Sequence, residues 1–130
     1  MERKEPYASQ EEFKKRVVRY RDIPFIELGP GAKAHLVCAE KMTVSFITQE
    51  PNCHFPTHHH EPEEIVIVLE GERDELVEGK LYHIKVGDVL IVPSGIEHGS
   101  YTSDRGCKVV EVFSPPRKDL IAKLEKVLSS

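Results

Sequence analysis

The stretch Thr57-His58-His59-His60-Glu61-Pro62-Glu63-Glu64 places three histidines and three acids directly ahead of an apolar run, Ile65 to Leu69, that closes at Glu70-Gly71. On an extended strand, side chains two apart share a face. His58 and His60 then project together, and His59 projects the other way. Glu64 keeps the parity of His58 if the strand resumes in phase after Pro62. Two imidazoles and a carboxylate on one face suit a divalent metal with positions left open. A fourth ligand has to come from elsewhere in the chain, and His98 is the candidate.

The segments around this stretch read as β. Lys33 to Ala39, Met42 to Thr48, His54 to His60, Glu64 to Leu69, Glu72 to Val77, Leu81 to Val86, Val89 to Val92, Glu97 to Thr102 and Cys107 to Phe113 are extended candidates. Glycine or proline punctuates most of the breaks. Glu70-Gly71, Glu78-Gly79, Gly87-Asp88, Pro93-Ser94-Gly95 and Ser103 to Gly106 read as those breaks. Many short strands at near-regular spacing predict an antiparallel sandwich or closed barrel. Ile65 to Leu69 and Val89 to Val92 are apolar on both faces, so both faces need cover. A homodimer or the C-terminal helix would supply the outer cover. Pro24 to Leu28 reads as a further short strand.

Two helices flank the β region. Ser9-Gln10-Glu11-Glu12 is a capping box, with a short helix to about Val18. Ser114-Pro115-Pro116 opens the second, with Ser114 as its cap. Leu120, Ile121, Leu124, Val127 and Leu128 lie on one face of it.

The chain has 130 residues, which fits one domain. At 39% apolar and 31% charged, with a net charge of −4, it is a globular composition. Basic residues are scattered, so no stripe neutralises phosphates and no nucleic-acid partner is expected. No apolar stretch can span a bilayer, and no membrane partner is expected. The start lacks the apolar core of a signal peptide. Cys38, Cys53 and Cys107 are odd in number and show no C-x-x-C spacing. These features point to the cytoplasm and against a disulfide framework.

Taken together, His58-x-His60-x3-Glu64-x6-Gly71 and Gly87-x5-Pro93-x-Gly95-x2-His98 resemble the two signature motifs of the cupin superfamily, in the family's order. Asn52 stands where the family has a glycine and Thr102 where it has an asparagine; neither is a ligand position. The resemblance implies an all-β, double-stranded β-helix (jelly-roll) barrel with a short N-terminal helix and a C-terminal helix. The whole chain, 1–130, would be one cupin domain. Its barrel core would span about 32–113, after an extension over 1–31, with the helix over 115–128. His58, His60, Glu64 and His98 would converge on one divalent ion: Fe, Mn, Ni, Zn or Cu. Pro93 and Gly95 would set the bend that aims His98 inward.

Glu111 to Leu120 resembles the segment that closes the barrel in small cupins of pectin and alginate breakdown, which convert unsaturated uronates to the linear ketone form. In that group an acid, a phenylalanine and an arginine stand at the places of Glu111, Phe113 and Arg117. The group usually has aspartate at Glu111 and glutamine at Glu64. The resemblance implies catalytic roles: Glu111 moving a proton, Phe113 shaping the pocket, Arg117 pairing with a substrate carboxylate. As plain structure, Phe113 is core, and Arg117 and Asp119 belong to the first turn of the helix.

The expected function is a metal-dependent enzyme acting on a small carbohydrate acid by isomerisation or ring opening. The alternatives are an Fe(II)-dependent dioxygenase of a small molecule and a non-catalytic module binding a small ligand or metal. The expected partners are a small molecule inside the barrel and a second copy of the chain. His59, Glu61 and Glu63 are read as outward or solvated, with Glu63 also able to orient a ligand. His54 is read as a core or rim residue, His35 and His83 as without function, Cys53 as a buried inert thiol, and the charges of Glu70 to Glu78 as a solvated hairpin.

Overall fold

The structure is a computed structural model and describes residues 1–130. Eight strands follow one another: β1 (Ile26–Gly29), β2 (Ala32–Cys38), β3 (Thr43–Gln49), β4 (His54–His58), β5 (Glu63–Val77), β6 (Lys80–Lys85), β7 (Val89–Val92) and β8 (His98–Ser114). Helix α1 (Gln10–Arg16) precedes them and α2 (Lys118–Leu128) follows. Every pairing is antiparallel. The first part of β5 lies between β7 and the second part of β8, which continues the sheet through β3 and β2 to β1. The second part of β5 lies between β6 and the first part of β8, which also holds β4. β5 and β8 thus pass from one sheet into the other and join them into the jelly-roll barrel.

That continuity corrects two expected turns. Glu70-Gly71 and Ser103 to Gly106 do not end strands; they are bends within β5 and β8. Pairing shifts register between Val68 and Glu70 and again between Gly71 and Arg73, the mark of β-bulges. Gly71 has φ +72, and a Cβ there would lie 2.5 Å from the Gly106 carbonyl oxygen. A Cβ on Gly106 would collide with the Gln49 carbonyl. The two glycines let β3, β5 and β8 converge at the bend, so the ladders continue through it.

The bulge also switches strand parity. Before it, Glu64, Val66 and Val68 are buried; after it, Arg73 and Glu75 are. The solvated-hairpin reading is therefore wrong for these two, at 2% and 1% exposed. It holds for Glu72 and Asp74, which face outward and flank His83 at 3.4 and 2.7 Å.

The core gathers Ile26, Leu36, Val66, Val109 and Phe113 from the strands and Leu120 and Leu124 from α2. α2 packs against β1 and β2 of its own chain. Ser114 is not its cap. It remains in β8 opposite Glu63, and its hydroxyl donates to the Lys41 carbonyl at 2.9 Å. Ladder pairing thus carries the strand past the expected boundary, and the helix begins at Lys118 with Arg117 at the N-cap. The capping box is present: the Ser9 hydroxyl accepts from Glu12 N at 3.2 Å, and the Glu12 carboxylate accepts from Ser9 N at 2.9 Å. α1 ends at Arg16 and buries none of its residues.

Because α2 sits on β1 and β2, it does not cover the outer face of the larger sheet. That face aligns Ile65 with Ile91 and Val112, and Ile67 with Val89 and Val110. Val89 and Ile91 are 57% and 61% exposed.

Replacing Gly106 by alanine should cost about 1–3 kcal/mol in urea unfolding, as for other overpacked interiors. Gly79→Ala, where a Cβ meets open space, should cost about 1 kcal/mol, for its positive φ alone.

Candidate metal centre

His58 is the last residue of β4, His98 the first of β8, and the two are cross-strand partners. His60 lies in the loop between β4 and β5, so strand parity does not place it beside His58. The loop is fixed by hydrogen bonds: Gly95 N–H donates to the His60 carbonyl at 2.9 Å, with Gly95 at φ +76. The turn of the second motif thus holds the first motif's loop. Glu64, on β5, comes up between the rings. His59 is exposed, and His54 stacks on Tyr101 at 4.3 Å on the barrel surface.

The ligand nitrogens of His58, His60 and His98 all lie within 4.8 Å of one another, a group able to hold one ion. Each Nδ1 lies against a backbone carbonyl: His58 on Pro56 at 2.9 Å, His60 on Pro62 at 2.8 Å, His98 on Ile96 at 2.8 Å. Each Nδ1 must therefore carry its proton and donate, which in the neutral ring leaves Nε2 as a lone pair. Such outer contacts fix ring orientation for metal ligation.

Glu64 Oε1 lies 3.0 Å from His60 Nε2 and 3.1 Å from His98 Nε2. With neutral rings these are acceptors facing acceptors. The arrangement requires positive charge between them, either protons on the rings or a metal ion. The 3.1 Å approach of His98 Nε2 to Glu64 is not aligned as a hydrogen bond, and the buried nitrogen has no other protein partner, which fits an ion. Burial works against the Glu64 carboxylate, but the two histidines outweigh it and hold its pKa down at about 2. Burial, helped by His98 and His60, lowers the His58 pKa and favours the neutral ligand form.

Deeper in the barrel lies a network that the sequence reading missed. Arg73 donates to Glu75 at 2.9 Å, to Gln49 at 2.7 Å and to Glu111 at 2.7 Å. Burial pushes the Glu75 and Glu111 pKa values up to about 7, against the pull of Arg73. With both ionised, one positive charge (Arg73) faces three negative ones (Glu64, Glu75, Glu111), an excess of two. A divalent cation on neutral imidazoles would balance it. The missed signal was the Gly71 bulge, which turns Arg73 and Glu75 inward.

Glu64, Arg73, Glu75 and Glu111 line a cavity of about 320 Å³, together with His58, His98, Phe113, Arg117 and Lys123. Phe113 is buried and meets His60 edge-on at 5.3 Å. Arg117 lies over the Phe113 ring at 4.7 Å, and Asp119 takes its fork at 2.8 and 2.7 Å. Arg117 is thus at the pocket but already paired. Thr102, in the asparagine position, accepts from Cys53 N and donates to the Glu50 carbonyl, both at 2.7 Å. Asn52 takes φ +56, the left-handed conformation open to it. All three cysteines are free, and the buried Cys53 thiol contacts the Pro30 carbonyl and Gln49.

Purified His58→Ala and His60→Ala proteins should lose bound metal in elemental analysis while keeping the far-UV signature of the barrel. Metal-free wild type from metal-replete cells would remove the site.

Comparisons with known proteins bear on the fold and the family. The pectin degradation protein KdgF of Dickeya dadantii (strain 3937) is 26% identical over 102 residues, covering 77% of this chain and 93% of that protein. KdgF from Halomonas sp. superposes with a TM-score of 0.71 at 22% identity, covering 77% of this chain and 94% of its own. An RmlC-like cupin from Shewanella frigidimarina NCIMB 400 gives a TM-score of 0.74 at 23% identity, covering 81% and 95%. No helix is long and apolar enough to cross a membrane. Residues 45–113, more than half of the chain, match the cupin domain family, and the chain belongs to that family.

Proposed function

We propose that the chain is a metal-dependent enzyme that isomerises or ring-opens a small carbohydrate acid, with His58, His60, Glu64 and His98 holding one divalent ion. The observation that carries this reading is the set of Nδ1-anchored imidazoles facing buried Glu64, with His58, His98 and Glu64 at the wall of a small cavity. When bound, the ion would act as a Lewis acid toward a substrate oxygen. The similarity to a pectin degradation protein and the resemblance of Glu111 to Leu120 to uronate-linearising cupins support an acidic sugar as substrate.

The chain's own groups suit that chemistry. Linearising an unsaturated uronate removes the proton of the anomeric hydroxyl, breaks the ring carbon–oxygen bond and returns a proton to the enol carbon. The products are an aldehyde and a ketone in one molecule, with no net proton or electron exchanged. Glu111 moves the proton. Its Oε2 is held by Arg73, its Oε1 has no protein partner, and its pKa lies near neutrality, the range where a group both takes and gives a proton. Arg117 and Lys123, both lining the cavity, attract the substrate carboxylate. Arg117 does so with the donors that Asp119 leaves free. Phe113 fixes the wall beside His60.

Glu111→Gln should lower turnover of an unsaturated uronate by about 10²–10⁴-fold, with metal content unchanged. Chelation should abolish turnover and metal return should restore it. Unchanged turnover after complete metal removal would sink the reading. Arg117→Ala should weaken acidic substrates more than neutral ones.

We infer also that a second copy covers the outer face around Ile65, Val89 and Ile91, because a continuous exposed apolar sheet face marks an interface. Wild type should run as a dimer in light scattering, and Ile91→Lys as a monomer; a monomeric wild type would refute this.

A further inference from the structure

Two buried hydroxyls in the same cavity remain without a role. Ser45, on β3, is 0% exposed and Ser100, on β8, is 2% exposed. Both line the cavity, and neither Oγ has a hydrogen-bond partner in the protein. Burying a hydroxyl without a partner is unfavourable, so two of them in one wall point to partners supplied by a ligand.

Their neighbours define what that ligand is. Ser45 lies directly opposite Glu111 across β3 and β8. Ser100 lies directly opposite Glu75 across β8 and β5. Arg73 ties both glutamates together, with its Nε, Nη1 and Nη2 each already donating. The wall therefore offers two hydroxyls, which donate and accept, and carboxylate oxygens, which accept. Such a surface is complementary to hydroxyl groups. It offers a carboxylate no unpaired cation, because Arg73 is already held by Glu75, Gln49 and Glu111. The cationic groups of the cavity are elsewhere: Arg117 on the loop before α2 and Lys123 on α2, with Asp119 paired to Arg117.

We propose that Ser45 and Ser100, with Glu75 and Glu111, form a hydroxyl-reading subsite. It binds the polyhydroxylated part of the ligand, while the ligand's carboxylate stays on the side of Arg117 and Lys123. The subsite makes the cavity selective for hydroxylated acids over alkyl acids of the same size. This rests on the small-acid reading above and adds to it the orientation and the basis of selection.

The test uses the metal-loaded full-length protein and two ring acids in calorimetric titration: D-galacturonate, and cyclohexanecarboxylate, which has a carboxylate on a six-membered ring but no hydroxyls. Wild type should bind the uronate at least tenfold more tightly. Ser45→Ala and Ser100→Ala should each weaken the uronate by roughly 2–10-fold, the worth of one neutral hydrogen bond, and leave cyclohexanecarboxylate unchanged. Metal content should not change. Melting temperatures of the ligand-free variants should equal or exceed wild type, because the hydroxyl removed has no protein partner. Equal affinity of wild type for the two acids, or uronate binding that neither variant weakens, would overturn the subsite while leaving the small-acid reading intact. A fall in melting temperature would overturn it by showing that the hydroxyls serve the fold. If wild type binds neither acid, the small-acid reading fails and the subsite fails with it.

Discussion

The close approach of backbone at Gly71 and Gly106 governs this molecule. β5 and β8 can each serve two sheets only if they bend without losing their ladders, and there the chains pass too near for a Cβ. The bend closes the barrel. Its bulge also reverses the parity of β5, so that residues on the odd positions turn inward. One geometric constraint thereby sets both the architecture and the chemistry of the interior.

The interior that results is charged. Arg73 can remain buried because three acceptors meet its three donating nitrogens. Without them, the desolvation of a guanidinium would cost several kcal/mol. When both are ionised, the acids that satisfy it bring more negative charge than it neutralises. The imidazoles beside Glu64 present lone pairs to the same region. Electrostatic balance, ring tautomers and the unpartnered His98 nitrogen converge on a cation at one place. The serines opposite Glu75 and Glu111 then form a polar wall beyond that place.

Much of this was legible in the chain. Strand spacing with glycine and proline punctuation pointed to a sandwich or barrel, and the resemblance of the two histidine motifs to the cupin motifs implied that His58, His60, Glu64 and His98 meet inside it. The capping box of α1 was readable because its two hydrogen bonds span three residues. Ser114 misled because a strand's end is decided by its partner: pairing with Glu63 and a hydroxyl bond to Lys41 kept it in β8. Glu70 to Glu78 misled because a bulge and a turn share the same glycine signal, and only the partner strand tells them apart.

The amino-acid order carried the local grammar: which segments extend, which residues can ligate a metal, and which family they resemble. These follow from side-chain type and short spacing, which a single chain displays openly. Folding brings His60 to the site from a loop tied to Gly95 and turns Arg73 and Glu75 inward. It also engages Arg117 with Asp119 and leaves two serines without protein partners. Apart from the Arg117–Asp119 pair, which is local but depends on where the helix begins, these depend on contacts between residues far apart in the chain or on a parity switch at a bulge, and neither leaves a mark in local composition.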